Sequence, residues 1–447
     1  MFWAEDYKAL KRLFLTFVLP SIGSQLLSGV YTIVDGFFVG MGTGETGLAA
    51  VGLAFPFTVF VTAVGAGIGV GGGALMSIST GRGRAKLAER VLASMFFLML
   101  CASVFCSVCF TLLSGPLLGL YDVSPKVAAL AARYAWILLI SSPAQVTTMG
   151  ALGAVRNDGF PRRAMYIMVS GFLVNIVLDW LWVIVFPYGV DGAAWATVAS
   201  QVFTAVLLSA HFFTKHSRVR LRMKLLCSSR LCAKILWLGI SPFGVQTAAA
   251  VTMIMHNWQA LAYGGDTGVA AYAVVGYVVP VGVMLQEGIA EGIQPLVSFY
   301  HGANLSARRR ITARLGFTSA IAVGLLCSLL VLLNTKTVPM FFSMTGDAAA
   351  VSARGLLLSV AMFPFLGLAK VGASYFQATG MTGRASLLTY GDPFVLLPLF
   401  LWGLPLLLGL DGVWLAMTCA NIALSALFAI MWRMEARRPL PLSAMTI

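Results

Sequence analysis

Charge is what this sequence has least of. Only 10% of its 447 residues are Asp, Glu, Lys or Arg, against the roughly one quarter that a water-facing chain carries. That scarcity excludes a water-soluble globular protein, and a 59% hydrophobic content with mean hydropathy +0.89 agrees. Histidine is rarer still. His211, His216, His256 and His301 are scattered, and no nucleophile–base or metal-ligand spacing surrounds them, so no enzyme is expected. A G-x-x-x-x-G-K-[ST] loop is absent, which excludes ATP as the energy source and leaves an ion gradient. Long polar runs are missing too: the longest, Lys215 to Lys234, has the size of a loop. Seven cysteines add little, because Cys106-x-x-Cys109 lies inside an apolar segment with no neighbouring His, a spacing that reads as packing. No cleavable signal is expected, since Glu5 and Asp6 precede a full-length apolar segment without an Ala-x-Ala exit.

What is present is a succession of apolar segments of about twenty residues, each able to cross a hydrocarbon core about 30 Å thick. We place twelve, near residues 14–39, 48–79, 91–115, 127–154, 164–186, 192–213, 235–262, 268–300, 312–333, 351–379, 385–408 and 412–433. The net charge of +14 suggests nucleic acid until its distribution is followed. Alternate loops hold 25 of the 30 basic residues, whereas the other side holds only Lys126, Arg133, Lys336 and Arg354, and Lys370 falls within a span. Positive charge is retained on the cytoplasmic side during insertion. The pattern therefore predicts a multi-pass protein of the cell (inner) membrane with both termini cytoplasmic, partnered by lipid and not by nucleic acid, and acting as a monomer.

The chain also repeats itself. Gly44-Glu45-Thr46-Gly47-Leu48-Ala49-Ala50 returns as Gly265-Asp266-Thr267-Gly268-Val269-Ala270-Ala271, and 265 − 44 is 221. Gly159 with Arg163-Ala164 returns as Gly380 with Arg384-Ala385 at the same offset; Gly189-Val190-Asp191-Gly192 returns as Gly409-Leu410-Asp411-Gly412. Such regularity marks two copies of one unit. The expected fold is all-α and integral to the membrane, with twelve helices in two six-helix lobes: residues 1–214, a basic cytoplasmic linker 215–234, and residues 235–447. Six is even, so the lobes are parallel and related by a pseudo-two-fold axis along the membrane normal, with the substrate path expected between them. Gly67, Gly69 and Gly72 spell G-x-G-x-x-G, but within an apolar span small residues serve helix approach or bending, not dinucleotide binding. The sequon Asn304-Leu305-Ser306 falls on a cytoplasmic loop and reads as empty.

Polar groups inside spans are costly and so are functional candidates. The first lobe carries Asp35, then Asn175 and Asp179 one helical turn apart, and Thr197. These oxygens suit a hard monovalent cation such as Na+, and the same carboxyls, once desolvated, can carry H+. No cofactor beyond that coupling ion is expected. The acid at 35 is not duplicated, since His256 and Asn257 occupy the repeat position. The second lobe has Glu287 and Glu291 at i, i+4, Gln294, and Lys370: either an ion pair within the bundle or a patch that meets substrate charge. Tyr31, Met253, Met255, Trp258, Tyr272, Tyr277 and Met284 suit an adaptable cavity or ordinary packing.

Pro20 with Val34-Asp35 and Phe38-Val39-Gly40, Asn175-x-x-x-Asp179, Gly192-Ala193-Ala194-Trp195-Ala196-Thr197, and Gly292-Ile293-Gln294-Pro295 followed by His301-Gly302-Ala303 carry a resemblance. Over nearly its full length the chain resembles the multidrug and toxic compound extrusion (MATE) transporters, in their prokaryotic DinF-like and MepA-like branch. The resemblance implies two lobes in a V, export of amphipathic and often cationic small molecules in exchange for Na+ or H+, a cation site at the positions of Asp35, Asn175, Asp179 and Thr197, and a first helix that bends at Pro20. Glu291, His301 and Lys370 depart from the family's pattern. A lipid-linked oligosaccharide or peptidoglycan-precursor flippase of the same superfamily is the alternative; twelve spans, first-lobe acids and a single intramembrane lysine weigh against it.

Overall fold

A chain immersed in hydrocarbon must satisfy every backbone N–H and C=O internally, and this one does so with helices. The computed structural model describes residues 2–119, 123–222 and 228–436, with side chains from residue 7 to residue 435, and no strand occurs among them. Lys224, Arg437, Arg438 and the side chains of Glu5 and Asp6 lie outside the described set. The helices are α1 Phe2–Gly81, α2 Ala85–Leu118, α3 Pro125–Ile140, α4 Ser142–Asn157, α5 Pro161–Asp179, α6 Gly189–Ala210, α7 Ser229–Gly302, α8 Ser306–Leu333, α9 Thr337–Phe341, α10 Gly346–Ser359, α11 Phe363–Ala378, α12 Thr382–Gly391, α13 Leu397–Leu408 and α14 Leu410–Ala436. Among the described residues nine helical stretches, α10 with α11 and α12 with α13 each counted as one, are long and apolar enough to cross a membrane, and α3 with α4, bent by 54°, makes a tenth if taken as one span. Pro143 opens α4, and Gln145 Nε2 donates to the Leu138 carbonyl at 3.1 Å, which satisfies an acceptor at the bend.

Two elements are far longer than one crossing. At 1.5 Å per residue, the 80 residues of α1 and 74 of α7 each run about 110–120 Å. Each is interrupted once, at Gly44 (φ 64°, ψ −163°) and at Gly265 (φ 57°, ψ −152°), so each divides into two segments. These are the glycines paired by the repeat. The loops expected near 40–47 and 263–267 are therefore single glycine breaks between helices.

The backbone repeats as the sequence does. Left-handed residues recur as Gly44/Gly265, Gly159/Gly380, Gly189/Gly409 and Gly83/Asn304. Asn304 thus serves as the one non-glycine that adopts this turn with little strain. An ion pair recurs as well: Arg133 with Asp191 (2.5 Å) and Arg354 with Asp411 (2.6 and 2.5 Å) join equivalent helices.

The compact units do not follow the repeat boundary. One comprises residues 26–246, the other residues 1–25 with 247–447, so α1 and α7 each pass from one unit to the other. In the first, Met95, Met99, Leu139, Val146 and Leu208 lie in the core. A Cβ at Gly69 would stand 2.7 Å from Gly150 Cα and one at Gly67 3.0 Å from the Gly239 carbonyl, so the glycine run is a surface for close helix approach. In the second, Ile289, Ile293, Val371, Phe376 and Phe428 pack with Phe14 and Val18, and Gly288 and Gly292 lie against the backbone of Ile22 and Val18. Cys106 is buried and Cys109 half-buried, both as free thiols.

Candidate functional site

Three helices and a helix end bring the first-lobe polar residues together. α1 supplies Asp35, nine residues before its break. α5 supplies Asn175 and Asp179, both fully buried. Immediately after Asp179 the helix widens into a π turn over Trp180–Val185, an irregularity that frequently accompanies functional residues. α6 supplies Thr197. The Asn175 amide, oriented by its partners, donates to Asp179 Oδ2 at 2.9 Å and accepts from the Thr197 N–H at 3.2 Å. The Asp35 and Asp179 carboxyls are within hydrogen-bonding reach of each other, and the Oδ1 atom of each is buried without a donor.

Two tyrosines complete the surroundings. The Tyr31 and Tyr134 side chains lie close to the two carboxyls and to Thr197. The Tyr31 ring stacks on Phe172 at 4.7 Å and 9°, which fixes its position on α1. Sequence reasoning listed Tyr31 only as a cavity candidate and did not single out Tyr134, because an aromatic residue in a span is expected to pack.

Chemically the arrangement suits a small positive charge. Two buried carboxyls cannot face each other while both are ionised and nothing lies between them. Either they share a proton, or a monovalent cation bridges them. The Asn175 amide can serve either state, its nitrogen donating to a carboxylate beside a protonated partner or its oxygen ligating a cation.

The second-lobe candidates divide. Lys370 Nζ donates to Glu287 Oε1 at 2.7 Å, with 22% of each side chain exposed. Glu291 stands one turn further along α7. His256 is fully buried, its Nδ1 2.9 Å from the Thr252 carbonyl and its ring stacked at 5.4 Å on Tyr272, itself stacked on Trp414. Its neighbour Asn257 is half-buried. Gln294 is buried and donates to Ser298 Oγ at 3.0 Å. Tyr272 is sealed in the unit, while Met253, Trp258 and Tyr277 are exposed, so that aromatic and methionine set does not share one environment. Pro20 is buried within an unbroken stretch of α1. Asp392, which the sequence reading passed over, opens a π turn after α12 and carries a buried Oδ1 with no donor.

Comparison with known proteins supplies the wider frame. The family model described as MatE matches residues 20–181 and 242–390, that is, one stretch in each half. Multidrug export protein MepA of Staphylococcus aureus (strain NCTC 8325 / PS 47) is 22% identical over 433 residues, covering 94% of this chain and 93% of that protein. MepA of Staphylococcus haemolyticus (strain JCSC1435) is 24% identical, covering 96% of each. Among solved structures, the outward-facing conformation of a multidrug resistance MATE family transporter superposes with TM-score 0.90 at 24% identity, over 95% of this chain and 96% of that one.

Proposed function

Because the chain belongs to the MatE family, we propose that it is a secondary transporter exporting amphipathic organic cations across the cell (inner) membrane in exchange for H+ or Na+. Export proceeds by alternating access of two six-helix lobes. Division of α1 and α7 at Gly44 and Gly265 adds two crossings to the ten counted whole, giving twelve. The MepA relatives support the multidrug substrate class.

The observation that carries the reading is the buried Asp35–Asp179 pair, held by Asn175 and flanked by Thr197. Such a pair binds one positive charge more tightly when water is excluded than when it is admitted, and that difference is what an exchanger uses to link an ion's entry to a cargo's exit. Pro20 gives the link a mechanical route. It has no N–H for the Thr16 carbonyl, so α1 yields most easily there, fifteen residues before Asp35.

The test uses the purified chain in sealed vesicles with pH and Na+ gradients imposed separately and an ethidium-like dye as cargo. A proton shared by the two carboxyls predicts dye movement driven by the pH gradient, and a bridging cation predicts movement driven by the Na+ gradient. Asp35→Asn and Asp179→Asn should each reduce it by at least tenfold while the protein still assembles. Full activity in both variants would overturn the site; the gradient that drives movement identifies the coupling ion, and movement under neither would overturn ion exchange; cargo restricted to lipid-linked sugars would favour a flippase.

A further inference from the structure

A second polar cluster lies wholly in the other unit. Glu287 on α7, Lys370 on α11 and Asp392 after α12 are ionisable groups on apolar spans. At offset 221 their counterparts in the first half are Ala66, Met149 and Gly171, so the repeat did not supply them. Conversely Asn175 and Asp179 correspond to Leu396 and Phe400. Each unit thus has charge chemistry the other lacks.

The framework around the cluster is fixed. Gln286 Nε2 donates to the Ala320 carbonyl at 2.9 Å, and Ser374 Oγ donates to the Ala290 carbonyl at 2.6 Å, one turn beyond the ion pair. Between these ties the lysine's four-carbon stem is the adjustable part. Its ammonium holds Glu287 Oε1 at 2.7 Å and is near enough to Asp392 to act on that carboxyl electrostatically. One cation therefore faces two carboxylates and satisfies one of them. Apolar residues of similar volume would cost no more in stability than this largely buried pair, so its presence asks for a task.

We infer that Lys370 is a tethered stand-in for the cargo's cation: it neutralises Glu287 while the site holds no cargo, and moves to Asp392 when an organic cation takes Glu287. Once cargo is bound, Glu287 and Asp392 each have a positive partner, so the incoming charge is compensated within the membrane. The 22% exposure of both partners leaves Glu287 within reach of a ligand. Glu291, one turn away, adds to the negative character of the same helix face. The inference rests on the organic-cation reading proposed above.

Equilibrium binding of tetraphenylphosphonium to the full chain in lipid nanodiscs tests it. If Lys370 occupies Glu287 for about nine-tenths of the time, removing it raises apparent affinity about tenfold. Lys370→Gln should therefore bind tighter, and Lys370→Arg, which keeps a competitor, should bind as wild type does. Glu287→Gln should weaken binding. Asp392→Asn should weaken it in the wild-type background, where the displaced ammonium loses its acceptor, but not in the Lys370→Gln background. Wild type that binds no tetraphenylphosphonium overturns the cation-export reading and this inference together. Wild type that binds it, with Lys370→Gln binding no tighter, overturns this inference alone, as does binding of an organic anion that is lost in Lys370→Gln.

Discussion

Asp158 shows how this chain holds a buried acid whose task is structural, and the contrast bears on Asp35 and Asp179. Its side chain is fully buried, and its oxygens accept from His211 Nε2 (2.8 Å), Ser217 Oγ (3.1 Å) and the N–H groups of Arg218 (3.1 Å) and Val219 (2.9 Å). Both oxygens have donors, and the loop after α6 is fastened by them. Asp35 and Asp179 instead face each other with an oxygen left over on each. Asp158→Asn places an amide against donors and removes their anion, a loss on the order of 3 kcal/mol for a broken buried charge network. The melting midpoint in detergent should fall by several degrees, and limited proteolysis should cut within 214–228 sooner; an unchanged midpoint would show that the loop is held otherwise. Asp35, Asn175, Asp179 and Thr197, the proposed cation site, could be picked out in the sequence because each is a polar group in an apolar span. Asp158 was not, since its partners lie 53 to 61 residues away and only folding unites them. Asp392 escaped notice for a different reason: between Gly391 and Pro393 it resembles a turn residue.

At the level of elements, apolar length placed the spans, but it carried no information about how one span passes into the next. Two helices in series separated by one residue look the same in hydropathy as two helices and a short loop. The deciding residue is a glycine whose φ and ψ, 64° and −163° at Gly44, belong to a region that side chains other than glycine's effectively exclude. Space is not the constraint, since an added Cβ there meets nothing within 4 Å. Gly44→Ala should therefore cost about 1–3 kcal/mol through backbone conformation alone, and Gly265→Ala the same. Gly52 is the internal control: it lies within a helical stretch of α1 and is equally open, so alanine there should be neutral or stabilising. Thermal denaturation of the three variants in one detergent checks this. Equal effects at 44 and 52 would mean that the break adapts without strain. The 54° bend between α3 and α4 and the π turn after Asp179 were equally invisible, because both arise from how a helix end is satisfied and not from its apolar content.

At the scale of the whole molecule, the repeat was legible in sequence while the membership of the compact units was not. Recurrence at an offset of 221 says which residues are equivalent, but not which neighbours a helix packs against. Residues 1–25 join 247–447 for reasons of packing, with Gly288 and Gly292 admitting Ile22 and Val18. Charge placement, by contrast, is a property of the chain as inserted. Of the four basic residues assigned to the side opposite the termini, Arg133 and Arg354 are each paired with an aspartate, at Asp191 and Asp411. Such exposed pairs add little stability, yet they neutralise cations that would otherwise oppose translocation of their loops. The same rule assigns the basic residues of the loops at 82–90 and 308–314 to the other side. Green fluorescent protein fused after residue 436 should therefore fluoresce, and alkaline phosphatase inserted beside Lys336 should be active. The same enzyme inserted between Arg308 and Arg310 should be inactive, because it folds only after export. Replacing Arg308, Arg309 and Arg310 with glutamine should weaken the retention signal and raise activity at that insertion, whereas replacing Lys126 should not. The reverse pattern of activities would invert the topology and with it the direction assigned to transport.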